Sequence, residues 1–61
     1  MIVYIVVVTD VYDDRSHIEG VYATNEEAEY HIKSKEKFYE QNVYGHILEP
    51  YIEEWEVGTF L

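Results

Sequence analysis

Thirteen Asp and Glu stand against four Lys and Arg in 61 residues, a formal net charge of -9, alongside seven Tyr, two Phe, one Trp and no Cys. So dense a negative field repels DNA, RNA and anionic membranes and attracts basic protein surfaces, the missing Cys excludes disulfides and thiolate zinc sites, and the aromatic and β-branched content argues against disorder. One small α+β domain over residues 1–61 is expected, and a domain this size buries only roughly 60% of its unfolded surface, so a second copy or another staple is expected to support it.

The apolar start, Met1 to Val8, lacks a basic leader and reaches Asp10 too soon for a signal peptide. It is also far shorter than the about 20 apolar residues of a membrane helix. Residues 2–9 read as a strand. Both of its faces are apolar, Ile2, Tyr4, Val6 and Val8 on one and Val3, Ile5 and Val7 on the other, which marks a central strand covered on both sides. Asp10 to His17 is polar, with Asp13 and Asp14 at its middle, and reads as a hairpin turn. A second strand follows from Ile18 to Ala23, in which Gly20 marks a bulge or a close backbone approach.

Thr24 and Glu27 have the spacing of a capping box and open a helix. Glu26, Glu27 and Glu29 lie where the helix dipole favours them. Ala28, Ile32 and Tyr39 share one stripe, with His31 and Phe38 beside it, and Lys35 interrupts the stripe and is expected to snorkel. The helix is expected to fade near Asn42, with Gly45 as its stop signal. Glu49-Pro50 opens the last strand, where Pro is tolerated at the first position. Tyr51, Glu53, Trp55 and Val57 share one face of it, and Ile52, Glu54 and Glu56 the other. The tail from Gly58 to Leu61 ends apolar and is expected to dock.

This order predicts a ββαβ fold: a three-stranded antiparallel sheet in the order 2-1-3 with one helix packed on one face. One helix covers one face. The other retains an apolar row from the first strand, with Tyr22 or Ile52 beside it, of a kind that soluble monomers seldom expose. A twofold homodimer is expected to cover it. The alternative is that the tail or the 41–48 segment folds over it.

Asp10, Asp13, Asp14 and His17 cluster in one loop and include divalent-cation ligand types. Their spacing fits no calcium loop, and the plainer reading is a solvated turn whose Asp side chains satisfy local amides. No metal or cofactor is therefore expected. His31 reads as a core-edge residue, and His46 has no partner nearby in sequence. Ser16 and Ser34 lack a strained nucleophile motif, the glycines form no phosphate cradle, and so short a chain leaves little room for a pocket of ~300 Å³. No catalytic residues and no enzyme activity are expected.

The carboxylates form the fuller pattern. Asp13, Asp14 and Glu19 lie in or beside the hairpin, Glu26, Glu27 and Glu29 begin the helix, and Glu49, Glu53, Glu54 and Glu56 line the last strand. Glu54 and Glu56 project on one side about 6.6–7 Å apart, a spacing similar to that of phosphates along a nucleic-acid strand. Such a surface fits a basic groove that otherwise holds DNA or RNA. The plain alternative is that the acids keep the chain soluble. Tyr22, Tyr51 and Trp55 are candidate aromatic anchors, with the core as the more ordinary place for Tyr51 and Trp55.

The run Gly20 to Glu29, with Val3 to Val6 and Tyr51 to Val57, resembles a group of small proteins of bacteriophages and Gram-positive bacteria. The resemblance implies the ββαβ fold and a phage or mobile-element origin, and it carries no catalytic residues. By analogy, it suggests an inhibitor in the host cytoplasm that binds a host protein with a basic surface, a nucleic-acid-handling enzyme or an antiviral defence component, without direct nucleic-acid or membrane binding. Asp13, Asp14, Glu19, Glu26, Glu27, Glu29, Glu53, Glu54, Glu56 and Tyr22 would meet that partner. The alternative is a structural or regulatory homodimer that binds through its apolar sheet face.

Overall fold

The computed structural model describes residues 1–40 and 47–58. Strands β1 (Ile2–Asp10), β2 (Arg15–Tyr22) and β3 (Leu48–Glu56) form one antiparallel sheet in the order β2-β1-β3. Helices α1 (Asn25–Ser34) and α2 (Glu36–Glu40) lie between β2 and β3 in the chain. The α+β, ββαβ architecture is the expected one. The β-branched run of β1 takes the centre because only there are both strand edges paired while its side chains pack on neighbours. Among the described residues no helix is long and apolar enough to cross a membrane.

The core lies between the sheet and α1. Val6, Val8 and Ala28 are fully buried, and Tyr39 of α2 and Val7, which points to the other face of β1, are nearly so. Each buried Val contributes about 1.5 kcal/mol or more. The ladder between β1 and β3 continues beyond the strands, since Val57 N donates to Met1 O (2.7 Å) and Val11 N to Ile47 O (2.9 Å).

Several expectations change. The single helix is two, broken at Lys35, whose φ of -109° and ψ of 12° leave the helical region. Ser34 Oγ donates to the His31 carbonyl (2.9 Å), a side-chain competitor at the last turn. The break redirects the chain so that Tyr39 reaches the sheet. The hairpin turn is shorter than predicted, because Arg15, Ser16 and His17 pair with Asp10, Thr9 and Val8. Pro50 is the third residue of β3 and pairs with Val8. Its missing N–H is tolerated because β3 is an edge strand.

The second face of β1 is covered only in part, not fully as the sequence suggested: Val7 is buried, Val3 and Ile5 are half-buried, and among the described residues no helix lies over them. Register places Val21 and Ile18 of β2, and Trp55, Glu53 and Tyr51 of β3, beside Val3, Ile5 and Val7. Trp55, Tyr51, Ile18 and Val21 are exposed, so Trp55 and Tyr51 are not core residues. Tyr22 and Ile52 pair with Tyr4 and Val6 and therefore belong to the helix side. The expected helix end at Asn42, the Gly45 stop, His46 and the tail from Thr59 lie outside the described residues.

Candidate functional site

Two polar assemblies occupy the helix side of the sheet. The first is built by an irregularity in β2. Pairing passes from Val6↔Gly20 to Val7↔Ile18, so Glu19 is an additional residue on the bulged strand. The bulge turns the Glu19 carboxylate toward the helices. Its Oε1 accepts from Tyr39 Oη (2.5 Å), His31 Nε2 (3.0 Å) and Lys35 Nζ (3.4 Å), and its Oε2 pairs with His17 Nε2 (3.2 Å). The His31 ring is held from its other side by Tyr22, whose hydroxyl lies 2.6 Å from Nδ1. With Nε2–H donating to Glu19, Nδ1 accepts from the Tyr22 hydroxyl.

Only 10% of the Glu19 side chain is exposed. Burial, the largest influence, raises its carboxyl pKa, yet the bonds from Tyr39, His31, His17 and Lys35 outweigh it and hold the pKa at about 2. Burial and the Glu19 bond and charge push the Tyr39 hydroxyl well above the ordinary phenol range. A carboxylate saturated in this way ties β2 to α1 and α2. Glu19 therefore does not present a free charge to a partner, in contrast to its place in the sequence reading.

The second assembly lies where β2 ends and α1 begins. Tyr4, between Tyr22 of β2 and Glu54 of β3, anchors it. Partial burial, the Glu54 hydrogen bond and the charges of Glu54 and Glu26 raise the pKa of the Tyr4 hydroxyl. Carboxylates from α1 and β3, 28 positions apart, thus act on one phenol. Glu56 lies on the same side of β3, opposite Ile2. Beside them is an open cleft of about 420 Å³ lined by Tyr22, Glu26, Glu27, Tyr30, His31 and Ser34, larger than expected of so short a chain.

α1 is positioned here by its cap. Thr24 Oγ1 accepts from Glu27 N (3.2 Å) as the capping spacing predicts. The reciprocal contact differs, since the Thr24 hydroxyl also lies 3.0 Å from Glu27 Oε1 and donates to it. Asn25 Nδ2 donates to Glu29 Oε1 (2.9 Å) one turn on.

The remaining predicted residues do not join this end. Asp13 and Asp14 sit at the hairpin beyond Asp10, at the opposite end of β1. There Asp10 Oδ1 accepts from the amides of Tyr12 (3.0 Å) and Asp13 (3.3 Å), and Asp14 adopts a left-handed φ of 53°. The loop aspartates serve the turn, and among the described residues no three of His, Asp and Glu are grouped to hold a metal ion. Glu53 lies on the other face of the sheet and accepts from the Trp55 indole N–H (3.1 Å). The ten predicted residues are thus divided among two ends, the interior and the far face. Sequence reasoning missed Tyr4, Tyr30 and the Glu19 hub. Gly20 was its one signal, and strand alternation hid the rest because a bulge resets it.

Comparisons with curated proteins and with solved structures find no match to this chain. A family model described as Domain of unknown function (DUF7336) matches residues 1–60, and the chain belongs to that family.

Proposed function

We propose that this protein is a small acidic inhibitor of phage type, acting in the host cytoplasm, that docks the α1 end of its sheet onto a basic surface of a host protein of nucleic-acid handling or antiviral defence. The observation that carries this reading is the meeting of Glu26 and Glu54 at Tyr4, next to a cleft walled by Tyr22 and Tyr30. An Arg or Lys side chain fits such a place, since its stem or guanidinium packs on tyrosine rings while its charge pairs with carboxylates. Glu54 and Glu56 extend the negative row along β3, and in this respect the surface imitates a short stretch of nucleic-acid backbone. Asp13 and Asp14 at the far end contribute to the long-range field and to the rate of encounter.

The test is capture of partners from a bacterial lysate at low salt, followed by affinity measurement on the captured protein. Binding is expected to weaken steeply with salt. The combined variant Glu26→Lys, Glu54→Lys, Glu56→Lys is expected to bind more than about tenfold more weakly while keeping its fold, because it reverses three charges at one surface. Glu27 is left intact since it serves the cap. Unchanged affinity of that variant, or salt-independent binding, would refute the proposal.

A further inference from the structure

On the opposite face of the sheet the chain meets a second copy of itself: we infer that two molecules pack their open sheet faces together about a twofold axis. This inference does not rest on the acidic docking surface. The floor of the face is Val3, Ile5 and Val7 of β1, of which Val7 is already buried and the other two half-buried, and its exposed part is the two flanks, Ile18 and Val21 on one edge and Tyr51 and Trp55 on the other. Ile18 is 63% exposed, Val21 57% and Trp55 55%. Exposed apolar side chains so placed, on both flanks of one sheet face, are an interaction surface.

The dimensions of the molecule fit a second copy as the occupant. A compact monomer of 7.3 kDa exposes about 4200 Å² by the scaling of surface with mass, whereas this chain exposes 4974 Å². The excess, about 800 Å², is comparable to one partner's share of a standard interface. The radius of gyration, 13.2 Å, likewise exceeds the roughly 10.5 Å of a compact chain this long, and the thinnest extent is 10 Å. A second sheet stacked about 10 Å away supplies the missing layer and leaves both helix layers outside. The face suits self-association because it keeps nearly all of the charge elsewhere. It carries two carboxylates among the described residues of β3: Glu53 opposite Ile5, already engaged by the Trp55 indole N–H, and Glu49 opposite Thr9 toward the hairpin end.

Each copy carries a net charge of -9, so the two repel, and screening by salt strengthens the dimer. That sign is opposite to the salt response of docking to a basic partner, so failure of one proposal cannot pass for failure of the other.

The chain has one Trp, and it lies on this face, which makes the unmodified protein its own reporter. Sedimentation equilibrium of the full chain up to about 100 µM, a range that detects micromolar dissociation constants, is expected to show a mass doubling that tightens in high salt. Over the same range Trp55 emission is expected to shift to the blue and its quenching by acrylamide to fall. Val21→Lys and Ile18→Lys should each weaken the dimer more than about tenfold, since each would bury an unpaired ammonium, while Tyr30→Lys on the helix layer should leave it intact. A monomer at both salt concentrations overturns the inference. So does a dimer in which Trp55 stays equally quenchable, or shielding of Trp55 that does not depend on concentration, which would mean cover by the same chain. The fluorescence readout needs no variant, so it stands even if the lysine variants fail to fold.

Discussion

The Tyr39 hydroxyl donates to the Glu19 carboxylate at 2.5 Å, joining the residue that the β2 bulge inserts to the short helix that follows the Lys35 break. Two irregularities, one in a strand and one in a helix, meet in one hydrogen bond.

Glu19→Gln is expected to destabilise the fold by about 2–4 kcal/mol, because it removes the charge that three cationic or polar side chains and a phenol share inside the domain. Tyr39→Phe should cost less, about 1–2 kcal/mol, since the other donors remain. Urea unfolding of both single variants and the double variant is the measurement. The double variant should be more stable than the sum of the two losses implies, because the removed groups interact directly.

The same carboxylate sets an acid limb. Its pKa falls from an ordinary 4.5 to about 2 in the fold, so the unfolded chain binds more protons between those values. Stability contributed by Glu19 is fully present above about 4.5 and is lost as the pH falls toward 2, on the order of 3 kcal/mol in all. Subtracting the Glu19→Gln curve from that of the native chain should isolate this slope.

At the alkaline end the sign reverses. The Tyr39 hydroxyl is raised above its ordinary 10.0 by burial and by Glu19, so its contribution is present below pH 10 and declines as the pH rises past it, where the unfolded phenol ionises first. Spectrophotometric titration should show one tyrosine ionising after the rest, and Tyr39→Phe should delete that step.

Gly20→Ala probes the bulge. A Cβ at this position would lie 2.8 Å from Cε2 of Tyr22, whose hydroxyl is held by His31. The ring must move and its bond to His31 must stretch, at a cost of about 1–3 kcal/mol. In a Tyr22→Ala background the same Gly20→Ala change should cost little, which thermal or urea unfolding of the four-member cycle would show.

The order of elements, the centrality of β1, the hairpin, the Thr24 cap and the position of Gly20 were legible in the sequence because each is written in short-range pattern: alternation, β-branching, cap spacing and turn chemistry. The acids were legible as residues but not as a surface. Glu26 and Glu54 are far apart in the chain; strand register sets Glu54 opposite Tyr4, and the seating of α1 on the sheet brings the Glu26 charge near it. Glu19 misled for a related reason. An acidic residue in an alternating strand reads as exposed, and the extra residue of a bulge redirects it. Trp55 misled in the opposite sense, since hydrophobicity suggests burial, whereas Trp55 stands exposed on an edge strand, on the face that no helix among the described residues covers.

Local chemistry by itself determined which segments extend and which coil, since these preferences act within a few residues along the backbone. Which carboxylate is neutralised inside, which ones gather at the α1 end and which apolar face stays open were decided only by tertiary structure, because register, one inserted residue and one helix break fix the direction in which each side chain points.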